Sequence, residues 1–319
     1  MDLSVVIVTY KSRATIEECL ESLFANLGGL TVEVWLVDNN SGDDVPDMVE
    51  REFPQVRLIH NPANSGFAGG CNLAIRRCEG RYILLLNPDT ISQPGAIPAL
   101  VHFLDDHPQA GIAGCAHYTE TGAFALSCYP PLSLTTIFWS HFGLNKIAPG
   151  AVQGVYREKA RNPNHLPFQV SWVTGSCFMF RQSLVEELGL LDDRIFLFTE
   201  EPDYCLRAAN KGWQTWFLPG AKVVHFEGKS TRQVPFIRLS NYYLSKLYFF
   251  SKHYPAWQLW LLRILFTLDL FGRSLVRGVQ SLLGDRLAPQ VLKFYGRILR
   301  LVWTYKRGAA PVKLQQFNS

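Results

Sequence analysis

The 319-residue sequence lacks most features that would assign it to a specialised class. It has no CxxC pair, and its seven cysteines (Cys19, Cys71, Cys78, Cys115, Cys128, Cys177 and Cys205) are odd in number and mostly set in apolar segments. That pattern argues against a zinc site and against a disulfide framework, and for reduced thiols in a cytoplasmic setting. Charge is nearly balanced, with 31 Lys and Arg against 27 Asp and Glu for a net +4, so no nucleic-acid partner is expected. A basic leader is missing too: Met1-Asp-Leu-Ser4 runs straight into Val5-Val-Ile-Val8, too short an apolar run for a signal peptide. Ala256 to Leu270 is strongly apolar, but Arg263 and Asp269 interrupt it short of the roughly 20 residues a spanning helix needs. No internal repeat or low-complexity tract occurs. No GxGxxG opens the first helix, which excludes a dinucleotide oxidoreductase. Thr9-Tyr-Lys-Ser12 stands after the first strand in place of a Gly-rich basic loop, which disfavours a nucleotidyltransferase.

What is present is a folded α/β chain, 48% hydrophobic and 18% charged. Leu3 to Thr9 is a β-branched apolar run of the kind that forms a buried parallel strand. After Ser12, the residues Ile16, Leu20, Leu23, Phe24 and Leu27 recur at helical spacing until Gly28-Gly29. Further strands are predicted over 32–37, 56–60 and 82–86, with a helix from Gly66 through Asn72 to Ile75. This alternation implies βαβ units and a mostly parallel, doubly wound central sheet flanked by helices. Beyond it, 97–106 reads as a helix and 111–116 as a strand, and 128–167 as a long aperiodic loop carrying Arg157, Lys159 and Arg161. Strands are predicted again over 170–180, 213–217 and 222–225. The composition changes near residue 232, which divides the chain into an α/β domain, 1–232, and a helical appendage, 233–319. In the appendage Val291, Phe294, Ile298 and Leu301 oppose Lys293, Arg297 and Arg300, a pattern suited either to peripheral contact with an anionic membrane or to packing on the rest of the protein.

Polar residues collect where a parallel sheet binds ligands, at the carboxyl ends of the strands: Thr9 and Tyr10, Asp38 and Asn39, Asn61 and Asn64, then Asn87 and Asp89. Across such an edge Asp38 can accept the imide N–H of a pyrimidine, and Asp89 can hold Mg2+ or Mn2+ against a diphosphate through hard oxygen ligands. His225 is a further candidate metal ligand. Lys229, Ser230 and Thr231 could meet phosphate oxygens. Glu200, Glu201 and Asp203 crowd one helix entrance, as either a reaction centre or simple helix-capping acids.

Seven stretches, in order over about residues 3 to 232, resemble family 2 glycosyltransferases of the GT-A fold, in particular the rhamnosyltransferase-like branch. They are Val5-Val-Ile-Val-Thr-Tyr-Lys-Ser12, Val37-Asp-Asn-Asn-Ser-Gly42, Asn61-Pro-Ala-Asn-Ser-Gly-Phe-Ala-Gly-Gly-Cys-Asn72, Leu84-Leu-Leu-Asn-Pro-Asp-Thr90, Trp172-Val-Thr-Gly-Ser176, Thr199-Glu-Glu-Pro-Asp-Tyr-Cys-Leu-Arg207 and Val224-His225. The resemblance implies inverting transfer of a sugar from a nucleotide-diphosphate donor, dTDP-rhamnose or a UDP-sugar, to a lipid-linked or glycan acceptor at the cytosolic membrane face. It implies a donor site at Thr9, Tyr10, Asp38, Asn39, Asn64, Gly66, Asn72, Asn87 and Asp89. Asp89 and His225 fall at the metal-binding places, with Asn87 where the family's first acidic residue stands. Glu201 takes the place of the general base, with Glu200 and Asp203 as alternatives, and Trp172, Gly175 and Ser176 border the acceptor. A non-catalytic sugar-binding scaffold would be expected to have lost the acid cluster, which this chain keeps.

Overall fold

The computed structural model describes residues 1–142, 154–226, 235–282, 285 and 287–310. Strand β1 (Leu3–Thr9) is buried at all of its positions, as its unbroken apolar run requires of a central parallel strand. It pairs in parallel with β2 (Val32–Asp38) on one side and β4 (Tyr82–Leu86) on the other, and β2 pairs with β3 (Val56–His60). The crossovers are α1 (Arg13–Ala25), α2 (Val45–Glu52) and α3 (Gly66–Ile75). Helix α1 buries Ile16, Leu20 and Leu23 of the predicted stripe, with Cys19 beside them, while Phe24 and Leu27 are partly buried against the same core.

The chain continues through β5 (Thr90–Ser92), α4 (Ala96–Asp106), β6 (Ala110–Tyr118), β7 (Phe124–Ala125), β8 (Cys128–Tyr129), α5 (Leu134–His141) and α6 (Gly154–Arg161). It then forms β9 (Phe168–Val170), β10 (Trp172–Val173), β11 (Cys177–Arg181), α7 (Gln182–Leu188), α8 (Glu200–Ala209) and β12 (Gln214–His225). The main sheet runs β3-β2-β1-β4-β11-β6-β12-β5, with β7 and β9 added at β6 and β12. β11 enters antiparallel between β4 and β6, so the expected mostly parallel sheet carries an inverted strand at its middle.

Three sequence expectations change. Residues 128–167 are not a bare loop: β8, α5 and α6 lie within it, α5 starting in a capping box between Ser133 and Thr136, and Arg157 and Lys159 sit on α6, which ends at Arg161. The strand expected over 170–180 is cut by Ser171 and by Thr174-Gly-Ser176, because those residues turn to serve the sheet edge. The two strands expected over 213–217 and 222–225 are one, β12, with a register shift between Leu218 and Lys222. The remaining expectation, for Lys229, Ser230 and Thr231, lies outside the described residues.

Two cores cover the faces of the sheet, one under α1, α2 and α4, the other under α3, α7 and α8. All seven cysteines are free and buried. A third core joins α5 to α9 (Pro235–His253), α10 (Ala256–Leu282) and α11 (Ala288–Thr304), and includes Ile137, Ile195, Tyr243, Leu262, Phe266 and Ile298. Among the described residues no helix is long and apolar enough to cross a membrane. Through Ile195 this third core reaches the turn that carries the acid cluster.

Candidate active site

The carboxyl ends of β1 and β2 form one wall. Asp38 is nearly buried, and its Oδ1 accepts the Ser41 N–H at 3.2 Å. Tyr10 beside it is exposed, while the Thr9 carbonyl is already taken by the Asn39 N–H at 2.9 Å. The Asn39 side chain donates to Asn64 Oδ1 and the Gly66 carbonyl, at 2.9 and 3.0 Å, and accepts from Asn61 at 2.7 Å and the Ser65 N–H at 3.1 Å. Asn39 and Asn64 therefore shape the loop into α3. Asn72 clamps the backbone of Leu191, donating to its carbonyl at 2.8 Å and accepting its N–H at 3.1 Å.

A second wall lies beyond β4. Asp89 Oδ1 stands 3.1 Å from His225 Nε2, which is 3.4 Å from Asn87 Nδ2. The strand order explains the meeting, since β5 pairs with β12 so that Thr90 opposes His225. One residue that sequence reasoning passed over belongs here. His117 packs its ring 5.7 Å from that of His225, and its Nδ1 lies 3.2 Å from Ser176 Oγ and 3.4 Å from Thr174 Oγ1. Burial, then the His225 charge, pushes His117 down to about 3, so it is neutral, and its buried Nε2 has no hydrogen-bond partner among the described residues. The signal in the sequence was a lone imidazole ending the apolar run Ala110-Gly-Ile-Ala-Gly-Cys-Ala116.

The third part is the acid turn. Phe198 and Thr199 have φ of 67° and 70°, two consecutive non-glycine residues in the left-handed region, at a cost of about 1–3 kcal/mol each. The turn is held from both sides. Phe67 N–H donates to the Phe196 carbonyl at 3.0 Å; the space there is so tight that a Cβ on Gly66, itself at φ +81°, would lie 2.3 Å from that carbonyl oxygen. From α9, Ser245 Oγ donates to the Leu197 carbonyl at 2.7 Å, and Thr199 Oγ1 donates to the Ser245 carbonyl at 3.3 Å. This clamp was invisible to local sequence reading because Ser245 lies 46 residues from Thr199.

The turn sends the three acids to different surroundings. Glu201 Oε1 accepts the Gly175 N–H at 2.6 Å, and burial raises its carboxyl above the ordinary glutamate value. Glu200 is buried, and burial followed by the neighbouring Glu201 charge pushes its carboxyl well above the ordinary glutamate value. Asp203 is fully buried; burial would raise it, but His253, Lys252 and Arg207 outweigh that and hold it below the usual carboxylate range. Its partners lie at 2.7 Å (His253), 2.6 Å (Lys252) and 2.9 Å (Arg207). Asp203 is thus an internal ion-pair hub.

Thr174-Gly175-Ser176 joins the two charged centres. Gly175 carries Glu201, while the Ser176 carbonyl accepts the Asn87 N–H and the Thr90 hydroxyl, both at 3.2 Å. Asp89 and Glu201 therefore flank one three-residue segment. Trp172, expected at the acceptor, stacks on Tyr129 at 4.1 Å and donates its Nε1–H to the Pro130 carbonyl at 3.0 Å. The arrangement offers an oxygen and imidazole pair on one side and a carboxylate of raised affinity for protons on the other.

A family model described as "Glycosyl transferase family 2" matches residues 4–189. The N-acetylglucosaminyl-diphospho-decaprenol L-rhamnosyltransferase of Mycobacterium tuberculosis (strain H37Rv) is 29% identical over 80% of this chain and 86% of that protein. The low-salt glycan biosynthesis hexosyltransferase Agl10 of Haloferax volcanii is 28% identical over 65% of this chain and 61% of its own. Among solved structures, the mannosyltransferase PcManGT from Pyrobaculum calidifontis, in complex with GDP-Man and Mn2+, superposes with a TM-score of 0.55 at 16% identity, covering 94% of this chain and 85% of that one. Sharing that α/β sheet, and with more than half of its length inside the family model, the chain belongs to glycosyltransferase family 2 and is a glycosyltransferase of the GT-A fold.

Proposed function

We propose that the chain moves a sugar, with rhamnose favoured, from a nucleotide-diphosphate donor to a hydroxyl of a lipid-linked or polysaccharide acceptor, inverting the anomeric centre, as a step of cell-envelope glycan synthesis at the cytosolic membrane face. The observation that carries the reading is that Asp89 and Glu201 flank the Thr174–Ser176 segment, where a sugar diphosphate could span the interval between them. The M. tuberculosis relative, a rhamnosyltransferase by name, supports rhamnose and a prenyl-diphosphate-linked acceptor.

Asp38 would take the base N–H, with Tyr10 beside it, so dTDP-rhamnose and UDP-sugars both suit this wall. Asp89 and His225 fit a divalent ion: their oxygen and imidazole donors suit Mg2+ or Mn2+, and the 3.1 Å between them matches the roughly 3 Å separating neighbouring donors of an octahedral ion. Among the described residues no third His, Cys, Asp or Glu joins them, so diphosphate oxygens and water would complete the shell. When bound, such an ion neutralises charge developing on the departing diphosphate.

Glu201 would accept the proton of the acceptor hydroxyl as its oxygen bonds to the anomeric carbon and the bond to the diphosphate oxygen breaks, its electron pair leaving with the nucleotide. Gly175 N–H aims one carboxylate oxygen and leaves the other for the proton. Attack opposite to the leaving group inverts the centre. Incubation with a panel of nucleotide sugars, with and without Mn2+, should give metal-dependent nucleoside diphosphate release that Glu201→Gln abolishes while nucleotide binding persists. Full turnover by Glu201→Gln refutes the role of Glu201.

A further inference from the structure

The C-terminal helices hold the positive charge of the chain. Residues 1–232 carry 18 Lys and Arg against 25 Asp and Glu, a formal −7, whereas residues 233–319 carry 13 against Asp269 and Asp285 alone, a formal +11. Both of those acids are already paired, Asp269 with His141 and Arg273, Asp285 with Arg277. On α11, Lys293, Arg297 and Arg300 are exposed at intervals of four and three, and none makes an ion pair among the described residues.

Helix α10 is apolar on two sides. One side, with Leu259, Leu262, Phe266 and Leu270, is buried in the third core. The other presents Trp257, Leu261, Leu268, Phe271, Leu275 and Leu282 at intervals of three, four and seven residues, from 38% exposed at Leu261 to 89% at Leu282. Over 27 residues this stripe runs about 40 Å, far more apolar surface than a soluble face ordinarily leaves in water. Trp303 Nε1 donates to Thr267 Oγ1 at 3.0 Å, which sets the edge of α11 one turn beyond Arg300 beside the stripe.

We infer that the exposed face of α10, bordered by the basic edge of α11, docks in the plane of an anionic phospholipid bilayer. Apolar residues enter the acyl boundary while lysines and arginines meet the headgroup phosphates, and tryptophans sit at the interface. A second copy of the chain is the poorer occupant, since it would bring one +11 appendage against another. The inference extends the proposed membrane-linked acceptor to a specific surface, but its test uses neither sugar nor metal.

The full chain is sedimented with vesicles of phosphatidylcholine alone and of equal parts phosphatidylcholine and phosphatidylglycerol, at low and high salt. Binding is expected to the anionic vesicles, weakened by salt. The pair Phe271→Glu and Leu275→Glu, and separately Lys293→Ala with Arg297→Ala and Arg300→Ala, should each lower partition by roughly tenfold or more, with thermal midpoint and nucleotide-induced shift unchanged. Equal binding of the Phe271 and Leu275 variant, equal binding to neutral vesicles, or a dimer abolished by those substitutions without vesicle binding would each overturn the inference. Vesicle binding that persists when no nucleotide binds would overturn the sugar-transfer reading and leave this one standing.

Discussion

Replacing Gly175 with alanine tests whether Glu201 owes its reactivity to its seat on one backbone amide. A Cβ at Gly175 would lie 2.6 Å from Glu201 Oε1, where ordinary contact begins at 3.4 Å, so the oxygen must retreat by about 0.8 Å. The 2.6 Å hydrogen bond from Gly175 then stretches to about 3.4 Å, beyond the usual range, and weakens. What yields is the end of a flexible side chain, with Phe67 giving a few tenths of an ångström at 3.2 Å, so the fold should lose no more than about 2 kcal/mol. Displacing a reacting group by about 1 Å costs on the order of 10²-fold, or about 2.7 kcal/mol of transition-state stabilisation. The assay is metal-dependent nucleoside diphosphate release, with kcat and KM for the donor measured separately and a nucleotide thermal shift alongside. A hundredfold fall in kcat with nearly unchanged donor binding is expected. An unchanged kcat, or a loss confined to donor binding, would refute the reasoning.

Two further outcomes follow from the other acids. Because burial raises Glu201, the base takes up its proton at a higher pH than the ordinary value of 4.5, so the acidic limb of kcat should lie above that value; a limb at or below it would disprove the assignment. Asp203 is held low, so the stability it contributes is present above its unfolded value near 3.8 and is lost as pH falls through the lower folded value. Asp203→Asn should therefore cost about 3–5 kcal/mol near pH 7 and less near pH 3, and denaturant titrations showing the same loss at both would count against the hub.

The sheet was readable because β1, β2 and β4 are continuous apolar runs that stop at polar residues, and those stops are the sheet edge. Helix α2 escaped notice although Val45, Met48 and Val49 are buried at helical spacing behind a first-turn proline, because the Asp43-Asp44 pair reads as loop. The aperiodic impression of 128–167 came from Pro130-Pro131 and from short elements of two to eight residues, too brief for periodicity to emerge. Local motifs singled out Asp89, His225 and Glu201 as candidates. They could not sort Glu201 from Asp203, since that distinction depends on Lys252 and His253, 49 and 50 residues further on. Nor could they find His117, which matters only because β6 runs beside β12.

The clamp that Ser245 places on the left-handed pair Phe198 and Thr199 bears on where this transferase can be cut. Lys252 and His253 on the same helix also neutralise Asp203, so α9 sustains both the shape of the acid turn and its charge. The compositional break near residue 232 thus divides two styles of sequence without separating catalyst from accessory. A fragment trimmed there would keep the strand-end wall yet let Glu201 relax out of register.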